Sequence, residues 1–183
     1  GTLGYTHCCI EDLSVMRSLP NITVISPSDS LETLKAIEAS MTHDTSTYIR
    51  VTGSSNNPIV NEDDYKFEIG KNKIIVNGKD VCIFATGAIV HEAISASKIL
   101  LENGISTKVV NVHTIKPLHQ NEILKESKDM KLLISLEEHN IIGGLGTAIS
   151  EVLATNSINS KLIKLGINDA YDKGGEYAYL KEK

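Results

Sequence analysis

The sequence predicts an α/β fold: a three-layer, doubly wound, mostly parallel sheet over the second half of the chain, preceded by a smaller, partial α/β unit. Three observations carry this. From residue 80 onward, glycine-bounded apolar runs alternate with amphipathic stretches, the rhythm of βαβ units. Val81 to Ala85 is apolar without interruption, as a strand buried on both faces is. The first 52 residues repeat the rhythm on a shorter scale.

In chain order, Ile10, Leu13, Met16 and Leu19 fall at helical spacing ahead of Pro20-Asn21, and Thr23 to Ile25 follows as a short strand. Pro27 and Ser28 open a helix with Ser28 as candidate N-cap and Leu34, Ile37 and Met41 as its apolar side. Thr47 to Val51 is a β-branched strand. Gly53 to Asp80, rich in Ser, Asn, Asp, Glu and Lys, reads as a linker. Ile74 to Val76 followed by Asn77-Gly78 predicts that it enters the second domain through a hairpin. Val81 to Ala85 is then the first strand of that domain. Val90, Ala93, Ile94, Ser97 and Leu101 share one helical stripe that stops at Asn103-Gly104. Lys108 to Val112 is the second strand, and Pro117 bars a helix before about Leu118. Leu132 to Leu136 is the third strand, Leu145, Ile149, Val152 and Leu153 form the next stripe, and Leu162 to Leu165 is the fourth strand. The expected division is a partial domain over 1–52, a linker and hairpin over 53–80, and a second domain over 81–183.

With 183 residues, 41% apolar and 22% charged, the chain has the balance of a globular protein able to build a core. Its net charge of −5 lacks the clustered basic face of a nucleic-acid binder, so nucleic acid is not an expected partner. The apolar runs fall far short of the roughly 20 residues that a membrane span needs. The first twenty residues carry no basic region followed by an apolar one, and the expectation is a cytoplasmic protein without membrane contact. Three cysteines, two of them adjacent at Cys8 and Cys9, do not suit a disulfide framework and read as reduced thiols. The chain opens at Gly1 almost directly on a motif, as a piece of a longer protein would.

The densest set of reactive side chains is Gly4-Tyr5-Thr6-His7-Cys8-Cys9-Ile10-Glu11-Asp12, where a loop turns into the first helix and side chains face ligands. His7 is a candidate proton donor or acceptor; the alternative is that Thr6 caps the helix and His7 packs. Consecutive His7, Cys8 and Cys9 cannot converge on a tetrahedral zinc ion, and a Cys8 nucleophile has no identifiable base. Gly143-Gly144-Leu145-Gly146 follows a strand and opens a helix, but its spacing departs from a dinucleotide fingerprint, and close backbone packing is the better reading. His113 and Glu137-Glu138-His139 stand just after parallel strands, where interface or capping roles compete with chemistry. Arg50 closes a strand and is a candidate fork for a carboxylate or phosphate, or one half of a structural ion pair.

Taken together, six strings resemble the transketolase family: G-Y-T-H-C-C-I-E-D at Gly4 to Asp12, R-S-L-P-N-I-T-V-I-S-P-S-D at Arg17 to Asp29, Y-I-R at Tyr48 to Arg50, F-A-T-G at Phe84 to Gly87, H-T-I-K-P at His113 to Pro117 and E-E-H-N-I-I-G-G-L-G at Glu137 to Gly146. They run in order over nearly the whole chain. The resemblance is to the carboxyl half of the pyrimidine-binding domain followed by the carboxyl-terminal domain, an arrangement shared by deoxyxylulose-phosphate synthases and 2-oxo-acid dehydrogenase β subunits.

The resemblance implies transfer of a two-carbon ketol unit from a ketose to an aldose, with thiamine diphosphate and Mg²⁺ in the complete enzyme, which is expected to be a homodimer. It implies that His7 faces the substrate as catalytic partner of sugar oxygens and that Arg50 binds a sugar or sugar phosphate. The glutamate that activates the aminopyrimidine and the G-D-G metal and diphosphate motif are absent from these residues. The fragment alone is therefore expected to be inactive and to bind no cofactor without the rest of the enzyme. The competing expectations are a noncatalytic docking or dimerisation module of a thiamine enzyme assembly, or a piece of deoxyxylulose-phosphate synthase.

Overall fold

Cys82 and Phe84 face one side of the central strand while Ile83 and Ala85 face the other, and this alternation builds two apolar layers on one sheet. The computed structural model describes residues 9–52, 57–62, 64–156, 158 and 160–171. Its elements are α1 (Asp12–Ser18), β1 (Ile22–Ile25), α2 (Ser30–Ser40), β2 (Ser46–Ile49), β3 (Lys73–Val76), β4 (Val81–Ala85), α3 (Val90–Glu102), β5 (Thr107–Asn111), β6 (Thr114–Lys116), α4 (Gln120–Ser127), β7 (Leu132–Asn140), α5 (Leu145–Thr155) and β8 (Leu162–Ile167). Among the described residues no helix is long and apolar enough to cross a membrane.

The large sheet has the order β3-β5-β4-β7-β8. Its pairings are parallel except that of β3 with β5. One layer joins Cys82, Phe84, Val110 and Leu133 to Ile123 of α4 and to Leu145, Ile149, Val152 and Leu153 of α5. The opposite layer joins Ile83, Ala85 and Val109 to Val90 and Ala93 of α3. Helices on both faces make this the three-layer, mostly parallel α/β sheet that the sequence predicts.

The small sheet has the order β2-β1-β6, with β2 parallel and β6 antiparallel to β1. β6 comes from the H-T-I-K-P string that follows β5, so the second half of the chain supplies the third strand of the first half's sheet. Leu13 of α1, Val24 and Ile115 are buried together, with Met16, Ile22 and Tyr48 around them.

Four local expectations are corrected. β3 does not form a hairpin with β4; it lies antiparallel along β5 at the edge of the large sheet. Asp29, not Ser28, caps α2: its Oδ1 accepts the Glu32 N–H at 2.7 Å, whereas the Ser28 hydroxyl donates to Glu32. The apolar side of α2 faces outward, with Leu34 61% and Met41 80% exposed, while Glu32 and Ala36 are fully buried. The helix is rotated because its acidic N-terminal side chains have partners inside the molecule. Leu101 of α3 likewise faces outward, whereas Val90, Ala93 and Ser97 are buried.

Chain order reverses at β4, between β5 and β7, which makes the carboxyl ends of these strands the crevice where open α/β sheets take ligands. Here the first half of the chain fills it. The Ser26 N–H donates to the His113 carbonyl at 2.8 Å and the Gly87 N–H to the Ser26 carbonyl at 3.1 Å. Gly87 sits at φ +72°, and a Cβ there would lie 2.8 Å from Ser26 Oγ, so both conformation and space demand glycine.

Candidate functional site

His7, the candidate catalytic residue, lies outside the described residues, as does Cys8. What is described is the chain that leaves that motif, Cys9 to Asp12, and how it is held. The Ile10 carbonyl accepts the Asn140 N–H at 2.9 Å, which ties the loop to the end of β7. Glu11 accepts its neighbour's Ile10 N–H at 3.1 Å and the Tyr171 hydroxyl at 2.8 Å. The Tyr171 hydrogen bond chiefly holds the Glu11 carboxyl below its usual range.

Arg50 extends β2 by donating its N–H to the Ile25 carbonyl at 2.8 Å. Its Nε donates to both Asp12 oxygens, at 3.2 and 3.0 Å. Its Nη2 donates to the carbonyls of Cys9 at 3.2 Å and Glu138 at 2.8 Å. The Tyr48 hydroxyl reaches the same carboxylate at 2.9 Å, and burial together with that contact pushes the phenol up to about 12. The anion that Arg50 grips is thus Asp12 of its own chain, the structural ion pair of the two readings. Nη1 has no hydrogen bond among the described residues.

Glu137, Glu138 and His139 act on the loop and helix around them. Glu137 Oε2 accepts the Leu145 N–H at 2.6 Å and Oε1 the Gly146 N–H at 2.8 Å, so the carboxylate caps the start of α5 from β7. Burial pushes its carboxyl above the usual range against those two hydrogen bonds. Gly144 is required by proximity: a Cβ there would lie 2.0 Å from Glu137 Oε2 and 2.7 Å from His139 Nδ1. The glycine string therefore serves close backbone packing, and the N–H groups that a phosphate would use are taken by Glu137. Arg17 donates to the carbonyls of Gly143 and Gly144 and pairs with Glu151 at 2.8 Å.

His113 is walled in, 1% exposed, with its ring tilted 38° against Phe67 at 4.4 Å between centroids and its Nδ1 2.9 Å from Thr114 Oγ1. Burial pulls its pKa down to about 3, so it stays neutral and is no proton carrier near neutral pH.

A buried polar joint links α2, residues 60–65 and β5. Glu32 accepts from the Ser28 N–H at 2.7 Å, the Ser28 hydroxyl at 2.8 Å and Asn111 Nδ2 at 2.9 Å. Asp29 Oδ2 accepts the N–H groups of Val60 at 2.8 Å and Asn61 at 2.9 Å. Desolvation raises the Glu32 carboxyl. In the sequence Glu32 looks like a solvated helix charge; only its spacing of four from Ser28 hints otherwise. Asp12 and Tyr48 stand inside the quoted strings and join Arg50 here, Tyr48 through Asp12, but neither carries a local signal of that role.

Among the described residues no group of three or more His, Cys, Asp or Glu side chains could hold a metal ion. The described residues therefore assemble no carboxylate or imidazole donor set for Mg²⁺.

Comparisons with known proteins agree with this architecture. The family described as transketolase, C-terminal domain, matches residues 70–182, and that described as transketolase, pyrimidine binding domain, matches residues 1–57. The chain is 44% identical over 177 residues to a putative transketolase C-terminal section of Methanocaldococcus jannaschii, covering 96% of this chain and 55% of that protein. It is 37% identical over 180 residues to the 6-deoxy-6-sulfo-D-fructose transketolase subunit SqwH of Clostridium sp. (strain MSTE9), covering 98% of this chain and 55% of the relative. A 1-deoxy-D-xylulose-5-phosphate synthase of Halothermothrix orenii is 34% identical over 182 residues, covering 98% of this chain and 29% of the synthase. Among solved structures, a split-gene transketolase described as an inactive β4 tetramer superposes with a TM-score of 0.87 at 34% identity, covering 97% of this chain and 57% of that one. The chain spans about half the length of the transketolase relatives named here.

Proposed function

The chain belongs to the transketolase family, and from that premise we propose that it is one part of a thiamine-diphosphate-dependent transferase that moves a two-carbon ketol unit from a ketose to an aldose. The observation that supports this reading is the anchoring of the Gly4 to Asp12 string. Its last residues are gripped from both sheets, by Arg50 on Asp12 and by Asn140 on Ile10, so the residues that follow His7 in sequence are held where the two sheets meet. In this reading His7 is the hydrogen-bonding and proton-transfer partner of sugar oxygens. Arg50 keeps one terminal nitrogen for a substrate oxygen while its other donors fix the loop. Thiamine diphosphate supplies the carbanion chemistry when bound. It and Mg²⁺ are assigned to the remaining part of the enzyme, within a homodimeric assembly.

The test is reconstitution of this chain with its diphosphate-binding partner, thiamine diphosphate, Mg²⁺, a ketose donor and an aldose acceptor. Two-carbon transfer is expected, with its loss when the partner is omitted and a lower kcat/KM at unchanged cofactor affinity in His7→Ala. Calorimetry of the chain alone with cofactor and Mg²⁺ is expected to give no saturable binding. An assembly that binds cofactor without transferring carbon, or a His7→Ala variant with unchanged turnover, overturns the proposal.

One observation favours a second reading, a noncatalytic docking module. His113, Glu138 and Asn140, at the carboxyl ends of the large sheet, spend backbone hydrogen bonds on the first half of the chain, and Glu137 spends its carboxylate on capping. Assembly without any carbon transfer would support that reading.

A further inference from the structure

Helix α1 begins without a cap of its own: Glu11, at its N-cap position, makes no side-chain hydrogen bond to the helix. An uncapped first turn leaves N–H groups without acceptors and frays readily. Here one of those donors is met from the other sheet. The N–H of Ser14, the third residue of α1, donates to Nε2 of His139 at 3.3 Å, a position normally served by the helix's own N-cap side chain. The same imidazole is aimed by its second nitrogen, since Nδ1 lies 2.6 Å from the Asn140 carbonyl and can only be the donor there. That contact fixes the tautomer, with hydrogen on Nδ1 and the lone pair on Nε2. His139 is completely buried, and Gly144 leaves just the room its ring needs. The neighbouring Asn140 N–H meets the Ile10 carbonyl, so two consecutive residues of β7 hold both sides of the turn between the His7 loop and α1.

We propose that His139 is a positioning residue that caps α1 from the opposite sheet and thereby fixes the Ile10–Glu11 turn that follows His7 in sequence. The proposal rests on the reading of the His7 loop as substrate-facing. His139 touches neither substrate nor cofactor in this scheme; it acts through Ser14. Removing its acceptor frees the first turn of α1, and misplacing a catalytic group by about 1 Å is enough to cost roughly 10²-fold in rate.

The experiment uses the complete assembly and two variants. His139→Ala removes the cap; His139→Gln offers a carbonyl oxygen near the Nε2 position. In His139→Ala, kcat is expected to fall by about 10²-fold with KM for the sugars changed less than about threefold, and the Ser14 amide to lose its protection against hydrogen exchange. In His139→Gln, that protection and most of kcat are expected to return. In the wild type, ¹⁵N shifts of the imidazole should report the Nδ1–H tautomer. Unchanged kcat in His139→Ala overturns the proposal. So does equal loss of kcat and of melting temperature in both variants, which would make His139 merely structural. A wild-type assembly with no ketol transfer overturns the functional reading instead, and the Ser14 exchange then still decides the cap: unchanged protection in His139→Ala refutes it.

Discussion

The guanidinium of Arg50 and the carboxylate of Asp12 meet at 3.0 Å with side chains only 15% and 8% exposed, joining the end of β2 to the first residue of α1. A partly buried pair of this kind is worth little as a net charge interaction but is costly to break on one side, because the surviving charge is left without its partner.

Asp12→Asn and Arg50→Ala are each expected to destabilise the protein, and a double-mutant cycle by urea denaturation should give a coupling energy of about 1 to 3 kcal/mol. Arg50→Lys should not rescue, since one ammonium cannot reach Asp12 and the carbonyls of Cys9 and Glu138 together. A cycle that closes to zero would reduce the pair to a coincidence of packing.

Glu137 bears the first turn of α5. Glu137→Ala leaves the N–H groups of Leu145 and Gly146 buried without acceptors and should cost about 2 to 4 kcal/mol. Gly144→Ala should be at least as damaging, since its methyl would overlap the Glu137 carboxylate. The two changes should not add: with the carboxylate gone, part of the Gly144→Ala penalty disappears, by about 1 kcal/mol. Strict additivity in chemical denaturation would contradict the contact.

Glu32 makes stability depend on pH from the alkaline side. Its carboxyl is raised by desolvation, so in the folded protein it gives up its proton later than in the unfolded chain. The stability it contributes is present below the usual carboxylate range and is lost as pH rises through the raised value. Glu32→Gln should be more stable than the wild type at pH 8 and lose that advantage at pH 4. Asn111 Oδ1, buried and without a partner among the described residues, would gain a donor after an amide flip. Thermal melts across that range check the sign.

His113 acts in the opposite sense. Its pKa falls from 6.5 to about 3 on folding, so the unfolded chain binds the extra proton throughout that window. The associated stability is complete above about pH 6.5 and declines as pH drops toward 3, by several kcal/mol at the limit. His113→Phe keeps a ring beside Phe67 but cannot titrate, and it should flatten the acid side of the stability profile. An unchanged slope would remove His113 as its source.

Most strands are legible because they are announced locally, whereas β6 (Thr114–Lys116), which pairs across the halves, is not. Val81 to Ala85 and Leu162 onward lie where periodicity and glycine put them, and Leu145, Ile149, Val152 and Leu153 are all buried as their spacing predicts. What was not legible depends on partners far away in sequence. β7 runs on through Glu137, Glu138 and His139, where the apolar pattern stops, because backbone pairing reaches as far as Asn140 opposite Ile167. α2 turns its leucine outward because Glu32 is held by Asn111, 79 positions away. In the site, Arg50 is visible as a fork, but that Asp12 is the carboxylate its Nε meets is not, since nothing local singles out that partner.

The strand Thr114–Lys116, lent by one half of the chain to the sheet of the other, makes the covalent link between the halves dispensable for holding them together. A protease that severed the stretch between Val51 and Lys73 would not yield two separable products. The nicked pieces should migrate as one species on a sizing column and part only under denaturant.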